Sequence, residues 1–163
     1  MQKVSSQTEL AGMVRQWKEK GETIVFTNGV FDILHLGHVE YLEAARAFGD
    51  RLVVAINDDA SVRRLNKGPE RPINPEQARA TVIRALRCVD AVTLFHDDTP
   101  LQIISQIVPD VLVKGGDYDP NEKDPSSKKY IVGSKEVLKN GGRVITIPTV
   151  EGYSTTSILS RLK

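Results

Sequence analysis

Two histidines, His35 and His38, stand three residues apart with Gly37 between them, in the stretch "NGVFDILHLGHVEYL". Before them "TIVFTN" (23–28) is an apolar run that reads as a strand; after them "HVEYLEAARAFG" (38–49) spaces its apolar residues as a helix does and closes on Gly49. The imidazoles therefore fall where a strand becomes a helix. Gly29 at the strand end permits a backbone turn that a Cβ would hinder. Gly37 at the helix start leaves room for an anion to approach the free N–H groups and the positive helix end. His35 and His38 would add side-chain donors to the same anion. A phosphate centre losing pyrophosphate gathers negative charge, and positioned donors stabilise that charge more than the ground state. Such chemistry needs positioning and no protein nucleophile. The competing readings are a surface pair at a helix start and half of a metal site. Only His96 and Cys88 remain to complete such a site, and neither has ligand spacing.

The elements that must hold this turn can be read along the chain. Leu10, Met13, Val14 and Trp17 predict a helix over 6–20, stopped by Gly21. Further strands are expected at "RLVVAIN" (51–57), "AVTLF" (91–95), "VLVKGG" (111–116) and "RVITIP" (143–148). Helices are expected in "DDASVRRLN", in "NPEQARATVIRALRCV" (74–89), in "DTPLQIISQIV", in "VGSKEVLKNGG" and in "STTSILSRLK". The second of these opens with Asn74 as N-cap, Pro75 at the first helical position and Gln77 at the capping-box position. Strands and helices alternate, and the strands are continuous Val/Ile/Leu runs, the mark of a parallel sheet covered on both faces. The expected fold is α/β, a Rossmann-like, doubly wound, parallel five-stranded sheet with helices on both faces. It would form one domain over 1–163, an N-terminal helix (1–21) followed by a catalytic core (22–163). In such sheets ligands bind beyond the carboxyl ends of the strands, where strand order switches. The irregular piece 115–130 is either a mobile substrate loop or a solvated connection.

Bulk composition narrows the classes. The 163 residues carry 26% charged and 40% hydrophobic side chains, ordinary for a soluble domain. A net charge of +1 gives the whole molecule no electrostatic reason to bind nucleic acid or an anionic membrane. One cysteine, Cys88, excludes an intramolecular disulfide and suits a reducing compartment. No apolar run approaches the roughly 20 residues of a membrane span, and no signal-peptide pattern opens the chain, so a cytoplasmic protein is expected. There is no GxGxxG after the first strand and no GxxxxGK[ST], which disfavours dinucleotide-binding dehydrogenases and P-loop enzymes.

At "GVFDILHLGH" the chain resembles the HxGH nucleotidyltransferase superfamily in its cytidylyltransferase-like branch, with the fuller GxFDxxHxGH form. A second stretch, "EGYSTTSI" (151–158), resembles that branch's C-terminal GxSTT segment. From about Thr23 to Leu162, stretches such as "VAINDDASVRRLNKGPERPINPEQAR" and "PDVLVKGGDY" resemble the adenylyltransferase domain of ADP-heptose synthases. That resemblance implies transfer of AMP from ATP to D-glycero-β-D-manno-heptose 1-phosphate for lipopolysaccharide core or surface glycan synthesis, with Mg²⁺ accompanying ATP and a homo-oligomeric assembly. Members are often fused behind a sugar kinase; with Met1 and an N-terminal helix here, the expectation leans to a free-standing form.

The resemblance also assigns residues. His35, His38, Lys67 and Arg71 would serve catalysis, the two cations from a flap "NKGPERP" over the triphosphate. Nucleotide contacts would come from Thr27, Asn28, Gly29, Phe31, Asp32 and Gly37 in the first signature. Arg79, Lys114, Gly115, Gly116 and Asp117 would add to them, as would Ser154 and Thr155 at the last helix start. For Asp32, whose functional reading is nucleotide or metal contact, a mere turn residue is the other reading; for Arg79 it is a solvated helix position, and for Ser154 and Thr155 simple capping. No residue set is expected to form a metal site in the protein itself. Where cytidylyltransferases of the branch carry arginine-threonine before EGxSTT, this chain has Thr149 and Val150. CTP-dependent transfer to glycerol 3-phosphate or another polyol phosphate is therefore the second expectation, a zinc enzyme or a non-catalytic nucleotide-binding regulator more distant ones.

Overall fold

The computed structural model describes residues 4–162. Ser6 opens α1 (Gln7–Glu19) through a closed capping box: its hydroxyl accepts from the Glu9 N–H while the Glu9 carboxylate accepts from the Ser6 N–H. Then follow β1 (Ile24–Gly29), α2 (Leu36–Arg46), β2 (Arg51–Asn57), α3 (Asp59–Arg64), α4 (Glu76–Arg84), β3 (Ala91–Phe95) and α5 (Leu101–Ile107). The chain closes with β4 (Val111–Gly115), α6 (Ser134–Lys139), β5 (Arg143–Ile147) and α7 (Thr155–Arg161). All neighbouring strands pair in parallel, in the order β3-β2-β1-β4-β5. The doubly wound α/β fold expected from the strand runs is therefore present.

Both sheet faces are covered, which explains why the middles of the strands are apolar runs with no polar–apolar alternation. Ile24 and Phe26 of β1 pack on one side with Leu10, Ile104, Leu112 and Val137. Val25 turns the other way, joining Leu42, Leu52, Val54, Ile83 and Val113. Each fully buried leucine or isoleucine contributes about 1.5–3 kcal/mol relative to exposure. Close packing also sets one backbone requirement: α6 starts from Gly133 at φ +87°, and a Cβ there would lie 2.6 Å from Ile104 Cδ1.

Several boundaries differ from expectation. α2 begins at Leu36 and ends at Arg46, short of Gly49, so Gly37 lies inside its first turn. α4 is capped by the backbone of Pro75 and stops at Arg84. Asn74 does not cap it, because its side-chain amide donates to the Asp32 carbonyl instead, at 2.7 Å. α5 starts from Pro100 with no side-chain cap. Beyond β4, residues 116–130 contain neither helix nor strand, although the Asp119 N–H bonds the Lys129 carbonyl at 3.0 Å.

Strand order reverses between β1 and β4, and the sheet opens there. β1 pairs with β2 over six rungs, Ile24–Arg51 to Gly29–Ile56. With β4 it pairs over two, Val25–Val111 and Phe26–Leu112, and the strands part beyond them. The crevice lies at their carboxyl ends, where open α/β sheets bind ligands.

Candidate active site

A cavity of about 900 Å³ occupies this crevice. Its walls come from the β1–α2 turn, the flap around Lys67, the ends of β3 and β4, and the turn before α7. Of the residues expected at the site, Asn28, Gly29, Phe31, Asp32, His35, Gly37, His38, Lys67 and Arg71 line it, with Lys114, Gly115, Asp117, Ser154 and Thr155 from the second half of the chain.

The histidines form a stacked pair, ring centroids 3.7 Å apart at 21°, and Phe31 meets His38 edge-on at 5.1 Å. His35 is the N-cap residue of α2, yet its side chain makes no capping bond. The Nδ1 atoms of His35 and His38 are buried without a hydrogen-bond partner. Burial lowers the pKa of both, and for His38, which also feels His35, to about 4. Both imidazoles are thus neutral near pH 7 and act as dipolar donors or acceptors. A Cβ on Gly37 would stand 3.1 Å from the His35 ring, so glycine keeps the pair in place as well as leaving the helix end bare.

A histidine whose folded pKa lies below its unfolded value takes up its proton more readily when unfolded. The histidine contribution to stability is therefore expected to be flat above about pH 6.5 and to fall between there and about pH 4. Denaturation midpoints measured across that window should show the slope, and His38→Gln should flatten much of it.

The loop between β1 and α2 is held by groups far away in sequence. Phe31 adopts a left-handed backbone, φ 49°, a strained conformation for a bulky residue. The Asp32 carboxylate is taken up by the flap: it accepts from Arg71 Nε at 2.6 Å and from the backbone N–H groups of Ile73 and Asn74 at 2.9 Å each. Burial alone would raise its pKa, but these N–H groups and the Arg71 guanidinium hold it below the usual carboxylate range. Asp32 thus fastens the flap from the cavity wall, and Arg71, by the same bond, anchors that flap while facing the cavity.

Arg79 is neither solvated nor at the cavity. It is 1% exposed, and donates to the Val30 carbonyl (2.7 Å), the Asn74 carbonyl (2.9 Å) and the Asp59 carboxylate (2.8 Å). It braces the signature loop from beneath. Thr27 is likewise fully buried, with its hydroxyl 2.8 Å from the Tyr41 hydroxyl, and does not line the cavity. Gly116 lies against Pro148, its would-be Cβ 3.2 Å from Pro148 Cα.

Two lysines supply positive charge. Lys114 bonds Asn28 Oδ1 at 2.9 Å and lies 4.9 Å from the centre of the Tyr118 ring. Its pKa falls to about 8 by burial and by the charge of Lys67. Lys67, on the exposed flap, is lowered by the enclosure of its ammonium and by Arg71. Opposite them Ser154 caps α7, accepting from the Ser157 N–H at 3.0 Å, and Thr155 is buried behind it. Tyr41, Tyr118, Lys128, Tyr130 and Tyr153 also line the cavity. Tyr41 lies one helical turn beyond His38 and Tyr153 inside the second signature, so both had a positional signal. Lys128 and Tyr130 had none beyond membership of the irregular segment.

Residues 26–161 match the family model described as cytidylyltransferase-like. The chain is 52% identical over 159 residues to the bifunctional protein HldE of Coxiella burnetii, covering 98% of this chain and 32% of that protein. It is 50% identical over 160 residues to bifunctional protein HldE of Escherichia coli O1:K1 / APEC, covering 98% and 32%. The chain therefore spans about a third of the length of these relatives. Among solved structures, the lipopolysaccharide core biosynthesis protein of Thermoplasma volcanium aligns with TM-score 0.60 and 30% identity over 82% of this chain and all of that one. A pantothenate synthetase from Thermus thermophilus, 18% identical over 100% of this chain and 68% of that one, shares the fold at TM-score 0.62.

Proposed function

We propose that this chain, which belongs to the cytidylyltransferase-like family, transfers AMP from ATP to D-glycero-β-D-manno-heptose 1-phosphate, releasing pyrophosphate and giving ADP-heptose for lipopolysaccharide core or surface glycan synthesis. The observation that carries nucleotidyl transfer is the neutral imidazole pair at the bare start of α2, facing a cavity that two lysines also line. The choice of heptose phosphate rests on the resemblance of residues 23–162 to ADP-heptose synthase domains.

In this reading an oxygen of the sugar phosphate attacks the α-phosphorus in line. The new P–O bond forms as the bond to the bridging oxygen breaks, and pyrophosphate leaves on the opposite side. His35, His38 and the N–H groups of the first α2 turn stabilise charge on the transferring group. Lys67, on the exposed flap, holds the outgoing phosphates, and Arg71 keeps that flap in place. Mg²⁺ would arrive on ATP, whose phosphate oxygens are the hard ligands it prefers, and would neutralise part of their charge. Asp32 has its oxygens taken and Asp98 is paired with Arg64, leaving Asp117 as the cleft carboxylate best suited to such an ion.

Pyrophosphate release should be measured with ATP, CTP, GTP and UTP against a panel of sugar 1-phosphates and glycerol 3-phosphate. ATP with the heptose phosphate is expected to give the highest kcat/KM. Preference for CTP with glycerol 3-phosphate would replace this reading by the polyol-phosphate one, against which Thr149 and Val150 stand in the cavity wall.

A further inference from the structure

Asn28 and Lys114 are the first residues past the last β1–β4 rung that point the same way as it, since Phe26 pairs with Leu112 and each lies two residues further on. Where the backbone ladder should continue, a side-chain bond replaces it, Lys114 Nζ to Asn28 Oδ1 at 2.9 Å. The ammonium is thereby held on the floor of the split in the sheet. It carries three donors, of which Asn28 takes one. The Tyr118 ring flanks it at 4.9 Å, and no carboxylate lies within ion-pair distance among the described residues. Lys114 is half-buried, and a cation withdrawn from water into a cleft without an anionic partner is a costly arrangement, retained where a ligand supplies the counter-charge.

We infer that Lys114, steadied by Asn28, is the anchor for the phosphate monoester of the acceptor, fixing the attacking oxygen at the split between β1 and β4. The word acceptor rests on the nucleotidyl-transfer reading above; the anion site does not. Three features favour the acceptor over the donor's phosphate chain. The first turn of α2 and its histidines already serve the group in transfer. The leaving pyrophosphate must escape, which suits a cation on an exposed flap such as Lys67. A half-buried ammonium at the floor of the cleft instead reaches a single terminal phosphate arriving end-on, and one fixed dianion is what an in-line attack requires. The groups facing Lys114 are Asn28 from β1, Tyr118 from the loop after β4, and Lys67 from the flap, with Tyr41 of α2 beside Tyr118. Of these Lys67 is the charged one, and it lowers the Lys114 pKa rather than raising it. Lys114 therefore loses its proton as pH rises through about 8 in the unliganded protein, and an anion that needs its charge binds more weakly above that pH.

Inorganic phosphate, the group common to every sugar 1-phosphate, is the probe, titrated calorimetrically into the full chain holding Mg²⁺ and a non-hydrolysable ATP analogue. Wild-type affinity is expected to fall towards tenfold per pH unit above about pH 8. Lys114→Met should weaken phosphate by at least about tenfold and change the affinity for the ATP analogue by less than about threefold. Lys114→Arg, which stays charged, should bind phosphate with a profile flat to about pH 9.5. Unchanged phosphate binding in Lys114→Met, an equal loss of the ATP analogue, or a wild-type pH profile in Lys114→Arg would each overturn the assignment. If phosphate follows the expected pattern but heptose 1-phosphate is not turned over, the sugar assignment falls and the anchor stands.

Discussion

His38→Ala is expected to lower kcat for pyrophosphate release by about 10²-fold or more while the protein stays folded. His38 is one half of a stack with His35 and the side chain against which Phe31 rests. Its imidazole is neutral at working pH, so what alanine removes is a positioned dipole and no net charge. The loss should fall on kcat more than on KM for ATP, because the interaction strengthens only as charge builds on the transferring phosphate. The His35→Ala loss should not add to it, since each ring fixes the other and either deletion disorders the pair. Steady-state kinetics with circular dichroism as the fold control decide the matter. A folded His38→Ala enzyme turning over within a factor of a few of wild type would remove the charge-stabilising role.

Asp32→Ala should be the most damaging change to stability around the site, about 3–5 kcal/mol, the scale for deleting one partner of a buried pair. The Asp32 side chain is 0% exposed and that of Arg71 9%, so the carboxylate has no water to fall back on and the guanidinium little. The deletion also strips acceptors from the Ile73 and Asn74 N–H groups, releasing the flap that carries Lys67. Urea denaturation should report the loss, and a rise in KM for ATP should accompany it as the flap loosens. Because the Asp32 carboxylate is held below its usual range, its contribution is present above about pH 4 and is lost as acid protonates it. A change under about 1 kcal/mol would show that the flap is fastened by something other than Asp32.

The two variants separate what was readable in the chain from what was not. The histidine pair was visible because it is local: a strand, two glycines and a helix start lie within fifteen or so residues, and local geometry follows from local sequence. The parallel sheet was visible for a related reason. Strands buried on both faces are largely apolar, and their alternation with helices leaves few topologies.

Charged residues away from the turn were a different matter. Arg79 has the same sequence appearance as any arginine on an amphipathic helix, yet it holds the Val30 carbonyl 49 positions away. Asp32 belongs to the signature, but its carboxylate is engaged by Arg71, 39 positions on. Asn74 looked like a helix cap and was drawn to the Asp32 carbonyl across 42 positions. Lys114 reads as the end of a strand, and its bond to Asn28 across 86 positions exists because β1 and β4 part just there.

By itself the sequence determined the sheet, its helices and the imidazole cradle at the first crossover, since hydrophobic periodicity and turn chemistry act between near neighbours. Lys67, Arg71 and Lys114 were expected at the site and line the cavity; tertiary structure alone decided that Arg79 braces its wall and that Arg71 and Lys114 are tied to Asp32 and Asn28. A charge settles where an opposite charge, a carbonyl or a desolvated gap awaits it, and in this fold those partners come from distant strands and loops.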